Sequence, residues 1–465
     1  MGASTRNGGR SGRRLLWWTI TAVVILALVA TASVVIALRL DREPELPPGV
    51  PPQPAAIAVD PRIDPVVASA PEPTPSGVSR AIAPALRNPA LGELTGMISD
   101  SLTGAVLWTS NPERPRIPAS NAKVLSAAAV LEAVPHDQRL TTTVVAGSNG
   151  QIILRGAGDP TLSAQPAGTD TFYTDPGRIA DLARQIEDTE IPVTSVAVDL
   201  RAFSGPTMDT TWDRRDIQGG DIAPIESLMV DGARLEPLDE YSPRTAAPGI
   251  MAGEALAAAL GVEGPVTEVT GTARAGDDRV IAKVESAPLV TRVNDMLRYS
   301  DNVLAETLAV ELSVHRGGPP THAGGVDAIE QVLSSMFPDQ WAGTTLHDAS
   351  GISYANRTTP ELLDAVMTAA SGPSRPALRP MLDGLPIAGG TGTLVDRFDP
   401  AGNPGAGWAR AKTGTLTGVS SLTGIVQTVD GRVLSFALMS GGTSPADARP
   451  ALDAVVGQLR ECGCR

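Results

Sequence analysis

The chain is poor in cysteine, aromatic residues, histidine and positive charge. Its 465 residues include only Cys462 and Cys464, one residue apart at the C-terminal end. Two cysteines so close cannot staple distant parts of a fold, which excludes a disulfide-built scaffold. The end is expected to be a mobile tail with incidental thiols, pairing with another protein being the alternative. Aromatics supply 3% of the residues, while Ala, Val, Gly and Pro are plentiful. The four histidines, His136, His315, His322 and His347, have no metal-ligand spacing among themselves or with the cysteines, so no metal is expected, and no cofactor. With 37 Lys and Arg against 51 Asp and Glu, the net charge is −14. A phosphate-binding surface needs clustered cations, so nucleic acid is an unsuitable partner for this acidic body.

Lysine is scarcer still. Only Lys123, Lys283 and Lys412 occur, the other basic residues being arginine. Two of the three fall in short motifs: Ser120-Asn121-Ala122-Lys123 and Lys412-Thr413-Gly414, with Ser300-Asp301-Asn302 between them. Together these supply a hydroxyl nucleophile, an amine to take its proton, a polar relay and a cation able to seize a carboxylate, which is the equipment of acyl transfer. Each motif alone has a bland reading, Ser120 as a helix cap, Asn302 as the cap of the helix running through Glu306, and Lys412 as a solvated strand residue. The ordered set of three is far more specific.

The chain has one long apolar run. Residues 1–14 carry four arginines, and residues 15–38 are uncharged and apolar. As a helix the run would be about 36 Å long, enough to span a bilayer. Arginines before it and acidic residues after it place the basic tail in the cytoplasm and the body outside. The alternative is a cleaved signal peptide ending near Ala30-Thr31-Ala32, leaving a secreted body. Residues 39–88 are rich in proline and read as a semi-extended linker.

Beyond the linker, residues 94–100 and 105–110 read as a hairpin, and residues 119–134 as a helix that stops at Pro135. On that helix Ser120 and Lys123 are three residues apart and share a face. Residues 289–312 have helical apolar spacing around Ser300-Asp301-Asn302. Residues 406–415 and 418–428 read as neighbouring strands, with Asp430-Gly431 turning into a third and residues 444–459 forming a closing helix. This predicts an α/β (α+β) fold: one antiparallel sheet covered by terminal helices, assembled from residues 89–139 and 289–465. Lys412 to Thr415 would lie on its edge, where Gly414 lets a substrate backbone approach and the Thr415 N–H is free to face a ligand. The intervening residues 140–288 are expected to be a separate, strand-rich insertion.

With these motifs in place the chain resembles the class C, low-molecular-mass penicillin-binding proteins, the D-alanyl-D-alanine carboxypeptidase and endopeptidase family. Further similar stretches are Gly156-Ala157-Gly158-Asp159-Pro160-Thr161-Leu162, Asp348-Ala349-Ser350-Gly351-Ile352-Ser353, and Leu385-Pro386 leading to Gly392-Thr393-Leu394. Ala157 stands where a third glycine is common. The resemblance implies a serine β-lactamase/transpeptidase-like sheet with flanking helices beside a helical subdomain, plus a largely β insertion. It implies peptidoglycan stem peptides as substrates and β-lactam antibiotics as inhibitors. It implies Ser120 as nucleophile, Lys123 as a neutral base whose pKa is lowered by burial and by Lys412, and Ser300 as a proton relay. Asn302 would hold the substrate amide and orient Lys123, Lys412 and Thr413 would hold the carboxylate, and the N–H groups of Ser120 and Thr415 would form an oxyanion hole. A β-lactamase and a non-catalytic wall-binding protein are the alternatives.

Overall fold

The computed structural model describes residues 69–270, 279–399 and 402–464. The basic tail, the apolar run and most of the linker therefore lie outside the described residues. In chain order the elements are α1 (Pro75–Leu86), β1 (Thr95–Asp100), β2 (Val106–Ser110), α2 (Ala122–Ala133), β3 (Thr141–Ala146), β4 (Gln151–Arg155), α3 (Ile179–Glu187), β5 (Ser195–Asp199), α4 (Pro248–Ala259), β6 (Thr267–Glu268) and β7 (Val280–Glu285). They continue with α5 (Leu289–Tyr299), α6 (Asn302–His315), α7 (His322–Met336), α8 (Pro360–Ser371), β8 (Ala409–Leu416), β9 (Val419–Gln427), β10 (Val433–Gly441) and α9 (Pro445–Arg460), with short helical turns between some of them.

The first sheet is antiparallel, in the order β2-β1-β10-β9-β8. Its central strand β10 is buried at all nine positions, as befits a strand covered on both faces. On one side α1 and α9 pack Val78, Ile82, Leu452 and Val456 against Leu422, Leu434 and Phe436. On the other, α2, α5, α6, α7 and α8 form a helical layer reaching Ala437 and Met439. Helix α2 is alanine-rich and buried from Ala122 through Leu131, the pattern of a helix with no solvent face.

Residues 141–285 build a second sheet, in the order β6-β5-β4-β3-β7. It carries more helix than the expected largely β insertion. The pairs β4–β5 and β5–β6 are parallel, and parallel neighbours need a crossover between them. Helices α3 and α4 supply these crossovers and pack Leu182, Ile186, Ala252 and Leu256 into that sheet's core.

Two expectations need correction. The last part of the supposed linker is helix α1, because Thr74 caps it through the Gly77 N–H, Pro75 opens it, and Val78 and Ile82 are fully buried. The C-terminal end is not a mobile tail. Cys462 and Cys464 are bonded to each other and buried. The Thr74 N–H donates to the Cys464 carbonyl at 2.6 Å, and a Cβ on Gly77 would meet the Cys464 backbone. Among the described residues no helix is long and apolar enough to cross a membrane.

Candidate active site

The nucleophile sits where the chain turns into α2. Ala119 has φ +48 and Ser120 lies in the short helical turn Ala119–Asn121 that opens the helix. Two glycines make room for it. A Cβ on Gly414 would come 2.6 Å from the Pro118 carbonyl oxygen and would also strike Ser421 Oγ, while a Cβ on Gly351, itself at φ +89, would come 3.0 Å from the Ser120 nitrogen and strike the Ala119 carbonyl. Gly414 was expected to admit substrate backbone. The structure shows it admitting the segment that carries Ser120.

Lys123 follows one turn later and is fully buried. Its Nζ donates to Ser120 Oγ at 3.2 Å, to Asn302 Oδ1 at 2.5 Å and to the Ser350 carbonyl at 2.6 Å. Burial pulls its pKa down to about 8, against the opposing pull of Asp348, Glu306, Asp301 and Asp221. A neutral amine has two N–H bonds and one lone pair. The two carbonyl oxygens can only accept, so they take both N–H bonds and the lone pair faces the Ser120 hydroxyl.

The middle motif joins two helices at a right turn in the backbone. Ser300, at φ +57, ends α5 in the left-handed region, a conformation that costs an L-residue roughly 1–2 kcal/mol. Asp301 Oδ1 then caps α6 by accepting from the Leu304 N–H at 2.9 Å. Asn302 as the cap was only the bland reading of this motif. Because Asp301 takes that role, the Asn302 amide is free to bridge, donating from Nδ2 to the Asp221 carbonyl at 2.8 Å while Oδ1 meets Lys123.

Lys412 lies on β8, the edge strand, and is also fully buried. Its Nζ donates to Ser300 Oγ at 2.8 Å and to the Thr413 carbonyl at 2.9 Å, and Thr413 Oγ1 donates to Thr393 Oγ1 at 2.9 Å. Its pKa is held well below the ordinary lysine value by burial and by the neighbouring Lys123 ammonium, with Glu240 opposing. The repulsion between the two lysines is thus felt at Lys412. Burial, one of the two expected causes, is the largest one lowering Lys123.

One cleft of about 360 Å³ brings together Ser120, Ser300, Asn302, Thr413 and Thr415, with Thr393 beside them. Asp221 and Glu240 from the middle of the chain also line it, as do Arg397 and Arg449. The sequence pointed to none of these four, nor to a role for Ser350. The loop bearing Ser350 is held by the buried Glu306 carboxylate, which accepts from the Ala349 N–H at 3.1 Å and the Ser350 N–H at 2.8 Å. His322 Nε2 lies 3.0 Å from Glu306 Oε2, an ion pair when the imidazole is protonated. Asp348 pins the same loop through the N–H groups of Gly351 and Ser353 and the Trp212 indole. The stretch 348–353 stood out only as family-like. Among the described residues no group of three or more His, Cys, Asp or Glu could hold a metal ion.

The chain is similar to known proteins. A carboxypeptidase DacB of Mycolicibacterium smegmatis is 48% identical over 447 residues, covering 95% of this chain and 96% of its own. A carboxypeptidase of Mycobacterium tuberculosis is 46% identical over 422 residues, 90% of each chain. The crystal structure of penicillin binding protein 4 from Haemophilus influenzae matches with a TM-score of 0.65 at 19% identity, over 83% of this chain and 98% of that one, and so shares the fold. The family model for D-Ala-D-Ala carboxypeptidase 3 (S13) matches residues 78–240 and 239–462, and the chain belongs to that family.

Proposed function

We propose that this chain is a serine D-alanyl-D-alanine carboxypeptidase that trims peptidoglycan stem peptides through an acyl-enzyme, with its catalytic body outside the cytoplasmic membrane and tethered by residues 15–38. The observation that carries the reading is the arrangement around Lys123, whose lone pair is aimed at Ser120 by two carbonyl acceptors.

In this mechanism the substrate carboxylate binds Lys412 and Thr413, and the carbonyl between the two D-alanines lies over Ser120. Lys123 takes the Ser120 proton as Oγ attacks. The N–H groups of Ser120 and Thr415 receive the oxyanion, a service typically worth roughly 3–4 kcal/mol per donor in the transition state. Ser300, bonded to Lys412, relays a proton to the departing D-alanine nitrogen. Water then hydrolyses the ester, with Lys123 again the base. A β-lactam follows the first half of this path and stalls as the acyl-enzyme. None of Lys123's three hydrogen-bond partners is a carboxylate.

The same acyl-enzyme forms when the leaving group is a cross-linked stem instead of free D-alanine, and the cleft continues past Thr393 to Arg397 and Arg449, which favours D,D-endopeptidase activity as a second reading. The test is to incubate residues 69–465 with a peptide ending in D-Ala-D-Ala and with cross-linked wall fragments. Release of D-alanine by the wild type and none by Ser120→Ala is expected. Separated stems would add the second activity, and no D-alanine release by the wild type would overturn the first.

A further inference from the structure

We infer that Arg234 and Arg244, which lie between β5 and α4, are positioning residues for acyl transfer: through Asp301 and the Asp221 carbonyl they set the geometry of Ser300 and Asn302. The inference rests on the roles proposed above for Lys123, Ser300 and Asn302.

The middle residue of the motif is the anchor. Asp301 Oδ1 is occupied by the α6 cap. Its Oδ2 receives Arg234 Nη2 at 2.7 Å, the Tyr173 hydroxyl at 2.9 Å and Arg244 Nη2 at 3.5 Å. All four side chains are buried. Arg234 is itself fixed, its guanidinium stacked 3.6 Å from the Phe172 ring centre and donating to the Tyr173 hydroxyl at 2.9 Å. Two guanidiniums facing one carboxylate oppose any withdrawal of Asp301, because either arginine would be left as an uncompensated buried charge. With Asp301 held, Ser300 keeps a left-handed conformation that a non-glycine residue adopts only where its surroundings enforce it.

Arg244 makes a second link. Its Nε donates to the Gly220 carbonyl at 3.1 Å, and its Nη1 to the Gly232 carbonyl. The residue after Gly220 is Asp221, whose carbonyl accepts from Asn302 Nδ2 at 2.8 Å. That acceptor decides which way round the Asn302 amide stands, and so presents Oδ1 to Lys123. Were the Gly220–Asp221 turn to shift, the amide could rotate and offer its NH2 group, and the Lys123 lone pair would lose its direction. The two links act on opposite sides of Asp301, one on the hydroxyl that meets Lys412 and one on the amide that meets Lys123. Catalytic groups gain most from a supporting layer of this kind, since small displacements cost large factors in rate.

The test compares Arg234→Met and Arg244→Met with their Arg→Lys counterparts, reading acylation of Ser120 by labelled benzylpenicillin, kcat and KM for D-alanine release, and thermal midpoint. Acylation and kcat are expected to fall at least about tenfold while KM stays within about threefold, because Lys412 and Thr413 are untouched. The acid limb of acylation should move, since loss of an arginine alters both the Asp301 charge felt by the Lys123 ammonium and the Asn302 amide that faces it. The lysine variants should recover part of the rate. A lowered thermal midpoint with wild-type acylation rate and pH profile in the folded fraction would overturn the inference. If the methionine variants do not fold, Tyr173→Phe, which deletes two hydrogen bonds, one to Asp301 and one from Arg234, and leaves the packing whole, decides: a two- to fivefold drop supports it and an unchanged rate overturns it. A wild type that is not labelled at Ser120 overturns the functional reading and this inference together, whereas unaltered variants overturn the inference alone.

Discussion

Lys123 and Lys412 are both fully buried, and a site holding two such amines favours carrying one proton between them. A carboxylate arriving at Lys412 supplies a counter-charge, keeps the proton there and, by repulsion, favours the neutral form of Lys123. Binding therefore prepares the base. Since the free-enzyme pKa of Lys123 is about 8, benzylpenicillin acylation should rise with pH through about 8, about one molecule in ten carrying the neutral base at pH 7. The acid limb of kcat should lie below that of kcat/KM. A flat profile between pH 6 and 9 would contradict the assignment. Lys123→Arg places a permanently charged group there, and acylation should fall a hundredfold or more in a stopped-flow assay. At this scale the side chains were legible from sequence because hydroxyls, amines and amides are written as letters. The Ser350 and Asp221 carbonyls were not, since every residue has one and only the folded chain decides which are aimed.

At the scale of elements, the approach of α2's entry turn to β8 is the tightest joint near the site. Gly414→Ala would press a methyl group toward the Pro118 carbonyl and Ser421. Overpacking of this kind typically costs about 1–3 kcal/mol, and because it displaces the segment bearing Ser120, acylation should fall by more than stability alone accounts for. On the same side of the sheet, Asp364 of α8 accepts from Ser99 Oγ of β1 at 2.6 Å, and burial pushes its carboxyl up to about 6. A carboxyl whose folded pKa exceeds its unfolded value binds more protons when folded, so stability is lost as pH rises from about 4 to about 6. Asp364→Asn should therefore raise the melting temperature at pH 8, by up to roughly 3 kcal/mol of stability, and have little effect at pH 4. The hairpins and α2 were readable from alternation, the Asp430-Gly431 turn and an unbroken apolar helix. Helix α1 was not, because proline-rich composition outweighed the Thr74-Pro75 start signal. The Asp301 cap was missed because adjacent Asp and Asn have equal claims to capping, and only the Asp221 carbonyl shows why Asn302 is needed elsewhere.

At the scale of the molecule, the first sheet was expected as an antiparallel sheet between helical layers and is found so. The second was underestimated in helix, since strand-like segments in sequence do not reveal whether they pair in parallel and need crossovers. The layer of α1 on α9 is part of the body's core. Ile82 is fully buried there, and Ile82→Ala should cost about 2–5 kcal/mol in chemical denaturation. A chain beginning at Pro89, lacking α1, should melt lower than one beginning at Ser69 and expose apolar surface to a hydrophobic dye. The bond between the Thr74 N–H and the Cys464 carbonyl also means that the polypeptide starts and finishes its catalytic body at one spot. A short glycine bridge could therefore fuse those two points, and a new pair of termini could be cut at the solvent-facing turn around Gly168, giving a circular permutant that keeps its catalytic centre unbroken.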